Sequence, residues 1–221
     1  MEVCIDHIAE LYLFEYYENP KEYSLAPMEK LLERKNKAKE EMERGGYAAA
    51  LQNYEKALEL NPADTEIRFA ILRCCYHLGR MDDLHEKTLQ LYPYVCTRQE
   101  LAAYYRWLGC WYLESYQPEF SACVNRYSLL FAPSEQAEHD IRYLETAMKR
   151  KLAEDSVAEL QKRLREADIP LHASDVTMAL LVKAGEEAED RSLWQQALDC
   201  YRMVYDLTQD EEIAQKIRRL S

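Results

Sequence analysis

Along most of the chain, apolar positions recur every three or four residues, in runs separated by short polar or proline-containing breaks. The breaks fall at Asn19-Pro20, Ala26-Pro27, Gly45-Gly46, Asn61-Pro62, Gly79-Arg80, Tyr92-Pro93, Gln117-Pro118, Ala132-Pro133, Ile169-Pro170 and near Ser192. This spacing predicts helices from end to end. The sharpest run covers residues 45–62, where Tyr47, Ala50, Tyr54, Ala57 and Leu58 form one stripe and Pro62 forbids continuation. Start signals accompany the runs: Thr97 with Glu100, and Ser156 with Glu159, read as capping boxes. Ser134, and Asp64 or Thr65, read as simple caps.

Over residues 134–168 the spacing slips. Ile141, Leu144, Met148 and Leu152 keep one register, and Val157, Leu160, Leu164 and Ala167 resume it after Glu154-Asp155-Ser156. Two helices or one kinked helix are expected there; a continuous helix of about 34 residues, about 50 Å long, is the alternative.

The runs come in pairs. Residues 31–62 resemble a tetratricopeptide repeat, a helix–turn–helix unit of about 34 residues, with Ala50, Tyr54, Ala57 and Pro62 at its small, aromatic, small and proline positions. The first helix of that unit matches only at Ala38. Residues 66–93 follow with Phe69, Leu72, Tyr76 and Gly79, and with a short second helix that lacks the small residue. Residues 102–133 carry Tyr105, Leu108, Gly109 and Tyr112, then Pro118, Ala122, Tyr127 and Pro133. Residues 178–210 carry Leu181, Ala184, Gly185 and Ala188, then Trp194, Ala197, Tyr201 and Val204.

The resemblance implies an all-α, right-handed α–α superhelix: a tetratricopeptide-like solenoid of about four helix pairs with flanking helices. Its expected parts are an N-terminal capping or docking helix over 1–27, three repeats over 28–133, connecting helices over 134–174, and a fourth repeat with a terminal cap over 175–221. Val3, Ile5, Ile8, Leu11, Tyr12 and Tyr16 suit an amphipathic N-terminal helix that caps the first repeat, enters the groove or mediates dimerisation.

Charge and composition narrow the function classes. A net charge of −12 disfavours nucleic acid and anionic membrane surfaces, and favours a basic or neutral partner. No stretch is long and apolar enough to span a bilayer, and the start lacks the basic region of a signal peptide. Seven cysteines without framework spacing read as reduced thiols, which places the chain in the cytoplasm. Glycines are too scattered for a phosphate-cradling loop, and His85-Glu86 does not continue into a zinc-protease motif. Cys74, Cys75, His77 and His85 lack the paired spacing of structural zinc. Acid pairs such as Asp82-Asp83 and Glu186-Glu187 read as solvated helix faces. No enzyme, metal or cofactor is expected.

The remaining signal is binding. Tyr104, Tyr105, Trp107, Trp111, Tyr112 and Tyr116 crowd one helix too densely to share one face, and such rings serve in interfaces as well as cores. The resemblance implies that the first helix of each pair lines a concave groove. Carried over, its groove positions are Lys35, Lys39 and Met42; Ile67, Ala70, Cys74 and His77; and Ala103, Arg106, Trp107 and Cys110. Only Lys35 fits the basic clamp by which some family members hold a terminal carboxylate, so that ligand is not expected. A protein–protein interaction scaffold that binds a peptide or helix of a partner is expected. The alternative is a self-associating, chaperone-like or regulatory domain, a homodimer.

Overall fold

The computed structural model describes residues 1–152 and 155–221, and among them the fold is all-α apart from one two-stranded pair. By contact the chain forms two compact units, residues 1–80 with 174–221, and residues 81–173. This grouping runs along different lines from the chain-order parts expected above.

The first unit opens with β1 (Glu2–Val3), parallel to β2 (Ser24–Leu25), which frames α1 (Ile8–Tyr17). The expected N-terminal helix is therefore shorter than its apolar pattern: Val3 and Ile5 lie outside it and pack with Phe14 as a small core. Next come α2 (Met28–Glu43), α3 (Tyr47–Leu58) and α4 (Thr65–His77), packed consecutively. Gly45, at φ +77°, makes the tight turn between α2 and α3 that an L side chain would resist. Ala38, Ala50 and Ala57 are fully buried, and their small size lets the helices close up. Asp64 is the cap of α4: its side chain accepts from the Ile67 amide at 3.0 Å.

The same unit holds α10 (Asp175–Asp190), α11 (Trp194–Thr208) and α12 (Glu211–Leu220). Helix α12 packs on α11 and buries Ile213 and Ala214, and Lys216 reaches Glu186 at 2.8 Å. Helix α1 packs on α10. Tyr17 and Thr177 share a hydrogen bond of 2.7 Å, Tyr12 donates to Glu187, and the Ile8 amide donates to the Gln196 side chain at 2.9 Å. The N-terminal segment also holds the first helix pair, through the Cys4 amide on the Leu60 carbonyl at 2.7 Å and Asn61 on Glu10 at 2.8 Å. Residues 1–27 thus tie the first and last helix pairs of this unit together.

The second unit comprises α5 (Met81–Leu91), a 3-10 turn (Tyr92–Tyr94), α6 (Arg98–Glu114), α7 (Pro118–Ser128), α8 (Glu135–Ala147) and α9 (Val157–Glu166). Both capping boxes form, at Thr97–Glu100 and Ser156–Glu159, and Ser134 caps α8. The described residues of the 134–168 stretch form two helices. Of the expected break at Glu154-Asp155-Ser156, Glu154 lies outside the described residues. Helix α8 already ends before Lys149, at φ +54°, and Leu152 still joins Ala122 and Leu144 in a core. Three tyrosines from separate elements donate to consecutive carbonyls of the segment after α9. They are Tyr105 to Pro170 at 2.8 Å, Tyr127 to Leu171 at 2.8 Å and Tyr92 to His172 at 2.9 Å. Much of the aromatic crowding is thereby internal: Tyr104 and Tyr105 are fully buried.

Candidate interaction faces

Lys35, Lys39 and Met42 follow one another along α2 at spacings of four and three, so they share a face. Lys35 is half-buried and already engaged: its ammonium meets Asp64 at 2.9 Å and also Glu66. The hydrogen bonds to Glu66 and Asp64 raise its pKa against the opposing effect of burial, so its charge is neutralised within the chain. Lys39 is exposed and has no ion-pair partner among the described residues.

On α4 the structure corrects the sequence-based face. Ile67 and Cys74 are fully buried, and Ala70 is nearly so. The solvent side of the helix carries Glu66, Phe69, Arg73, Tyr76 and His77. Of the α4 residues expected in the groove, His77 alone is exposed, and its ring stacks on Tyr47 at 4.1 Å. The exposed side is offset from the expected set by one residue. Neighbouring side chains on a helix point about 100° apart, so that slip turns a surface into a core. The repeat length points to the exposed side instead. A step of about 34 residues from Lys35, Lys39 and Met42 lands on Phe69, Arg73 and Tyr76. Arg73 is exposed and unpaired among the described residues. Beneath lies Tyr54 of α3, whose hydroxyl is held above its ordinary pKa by burial and whose charged neighbours are Arg73, Glu66 and Lys35.

In the second unit, Ala103, Arg106, Trp107 and Cys110 are all half-buried along one side of α6. Arg106 is the anomaly. Its Nη1 is shut off from solvent without a hydrogen-bond partner among the described residues, and burial alone pulls the guanidinium pKa below its ordinary value. Leaving a cationic nitrogen unpaired costs the fold free energy that a carboxylate in bidentate contact would return. Nearby, His85 stacks on Trp111 at 3.7 Å, and Tyr112 packs edge-on against Phe120 at 4.4 Å.

Four of the cysteines are poorly placed to act as nucleophiles. Burial pushes the thiols of Cys110 and Cys200 up to about 12, and those of Cys74 and Cys123 up to about 11. Among the described residues no cluster of three or more His, Cys, Asp or Glu is placed to hold a metal ion. No described helix is long and apolar enough to cross a membrane.

A sequence model of the tetratricopeptide repeat family matches residues 41–83, from the end of α2 through α3 and α4 into α5. The chain carries a tetratricopeptide repeat. The match covers the turn at Gly45, the buried Ala50 and Ala57, and helix α4. No curated protein matches the chain in sequence. Tetratricopeptide repeats mediate contacts between proteins, and this one points to a protein–protein interaction scaffold.

Proposed function

We propose that the chain is a non-enzymatic scaffold whose first-helix faces take up acidic, partly apolar segments of partner proteins. The faces are Lys39, Met42, Phe69, Arg73 and Tyr76 in one unit, and Arg106, Trp107 and Cys110 in the other. The observation that carries the reading is the set of unpaired cations. Lys39, Arg73 and Arg106 sit beside apolar or aromatic side chains in a chain of net charge −12, where carboxylates to neutralise them are plentiful. In an isolated protein an unpaired, desolvated guanidinium is a liability; in a binding face it is an anchor.

Two variants test this. Lys39→Glu with Arg73→Glu reverses charge on an exposed surface and leaves the core untouched. Arg106→Leu removes the orphan charge, so its melting temperature is expected to hold or rise while binding falls. Partners retained by the tagged wild-type chain are identified by mass spectrometry, and their affinities are then measured for each variant. A loss of at least tenfold, about 1.4 kcal/mol, is expected. Unchanged affinity in both variants would sink the assignment. A retained partner that proves to be a second copy of the chain would replace it with self-association.

A further inference from the structure

Three tyrosine hydroxyls hold the irregular segment after α9 by its backbone, and a fourth beside them holds nothing. Tyr105, Tyr127 and Tyr92 donate to the consecutive carbonyls of Pro170, Leu171 and His172. Tyr104 packs on two of these donors, its ring 5.4 Å from that of Tyr92 and 5.4 Å from that of Tyr105. The residue is 1% exposed, yet its hydroxyl has no hydrogen-bond partner among the described residues. A buried hydroxyl without a partner costs the fold free energy that an acceptor would return. Burial also raises its pKa, so the hydroxyl keeps its proton and remains a donor.

Tyr104 lines a hollow of about 490 Å³ whose other walls are largely apolar: Leu89 of α5, Tyr92 of the 3-10 turn, and Ile169 and Pro170 of the held segment. Leu89 is 47% exposed, an apolar wall that the fold leaves open. At the mouth stand Arg165 and Asp168, both exposed and neither with an ion-pair partner among the described residues. One charge of each sign gives the rim no preference for an acidic or a basic occupant. The idle donor asks for an acceptor. In a protein segment the acceptor carried next to every apolar side chain is the backbone carbonyl, and it is free only outside helix and sheet.

We infer that this hollow is a docking site, separate from the first-helix faces, for a net-neutral, non-helical segment of a partner protein. The segment buries an apolar side chain against Leu89, Tyr92, Ile169 and Pro170 and gives a backbone carbonyl to the Tyr104 hydroxyl. The same chemistry already operates next door, where three hydroxyls of this unit read three carbonyls of its own chain.

Tyr104→Phe separates binding from folding. It removes one idle oxygen and keeps the ring, so the melting temperature is expected to hold or rise. Leu89→Asp puts a charge on the exposed wall. The probe is the peptide Gly-Ser-Leu-Phe-Leu-Ser-Gly, capped at both ends so that it carries no charge, and titrated by calorimetry. The chain titrated carries Lys39→Glu, Arg73→Glu and Arg106→Leu, so that success or failure of the proposed function leaves this result unchanged. The peptide is expected to bind saturably and to weaken about three- to tenfold with Tyr104→Phe, the size of one neutral hydrogen bond. A loss of at least about tenfold is expected with Leu89→Asp, and no binding when Ser replaces the Leu-Phe-Leu core. Exchanging both Ser of the peptide for Glu or for Lys should move the affinity by less than about threefold. Absence of saturable binding, equal affinity in Tyr104→Phe, or a tenfold gain with the Glu or the Lys peptide would each overturn the inference. A chain that sediments as a dimer and becomes monomeric with Leu89→Asp would also do so, because that result gives the hollow to a second copy. Tyr104→Phe decides the matter even where Leu89→Asp fails to fold.

Discussion

The pairs α6–α7 and α10–α11 both bring two helices together over a glycine, and they fill the space above it differently. Over Gly109 lies the side-chain amide of Asn125, and the Ser121 hydroxyl donates to the Gly109 carbonyl at 2.7 Å. Over Gly185 lies the flat ring of Tyr201, fully buried, with its hydroxyl on Glu189 at 2.6 Å and Lys216 above the ring at 5.1 Å. The same sequence mark, a small residue midway along the first helix, therefore permits a polar contact in one pair and an aromatic one in the other. The amide is short and can rotate about its own bonds. The ring is rigid and held at both ends.

The largest effect is expected at the ring. A Cβ on residue 185 would stand 2.6 Å from Tyr201 Cε1 and 2.9 Å from Cζ, a distance that only movement of the ring or the helix can relieve. Gly185→Ala is expected to destabilise by about 2 kcal/mol net, an overpacking penalty of about 3 kcal/mol reduced by about 1 kcal/mol of better helix propensity. Thermal melting would show it as a drop of roughly 4–8 °C. Gly109→Ala places its Cβ 2.8 Å from Asn125 Nδ2, the far end of a side chain, and is expected to cost less, about 1 kcal/mol. Equal costs at the two glycines would end the contrast.

Acid is expected to act on both regions in the same direction, more strongly in the first unit. His7, beside α11 with Nε2 4.0 Å from Asp199, and His85, stacked on Trp111, both have their pKa lowered by burial, against the pull of nearby aspartates. The unfolded chain takes up protons near the ordinary value of 6.5 while the folded chain resists. Stability is therefore full above that pH and declines as pH falls below it. Glu10 works in the opposite direction, since burial raises its carboxyl and protonation favours the fold. His7→Gln should flatten the decline in urea melts between about pH 7 and pH 5 more than His85→Gln does. The smallest effect is expected at the α10–α11 turn, where Ser192 sits at φ +60°. Ser192→Gly should stabilise by up to about 1 kcal/mol, and a loss of stability there would show that the serine makes a contact worth more than the strain.

What could be read from the sequence was what is decided locally. Asp64, Thr97, Ser134 and Ser156 act as caps because a cap is a contact between residues three apart. Gly109 and Gly185 stood out because tight helix pairs have few ways of being written. The α4 positions were carried over from the family resemblance, and a shift of one residue along a helix separates the buried Ile67, Ala70 and Cys74 from the solvent side of Glu66, Phe69, Arg73 and Tyr76. Only the packing of α3 against α4 decides between them. Docking of α1 on α10, and the strand pair that frames α1, are settled by partners remote in the chain, which no local pattern announces. Tyr104 was visible as one of a crowd of aromatics; its idle hydroxyl was not.

The bond between Tyr12 and Glu187 spans 175 residues of chain, and the consequence is temporal. At about 5–20 residues per second, helix α1 leaves the ribosome roughly 10–35 s before the helix it packs on exists. Throughout that interval Leu13 and Phe14, both fully enclosed in the finished protein, have no α10 to rest against. The intervening unit of residues 81–173 is contiguous in the chain and so is able to fold meanwhile, while the first unit waits for its last 48 residues, 174–221. Assembly is therefore from the middle outwards, with an early apolar segment left uncovered until α10 has been made.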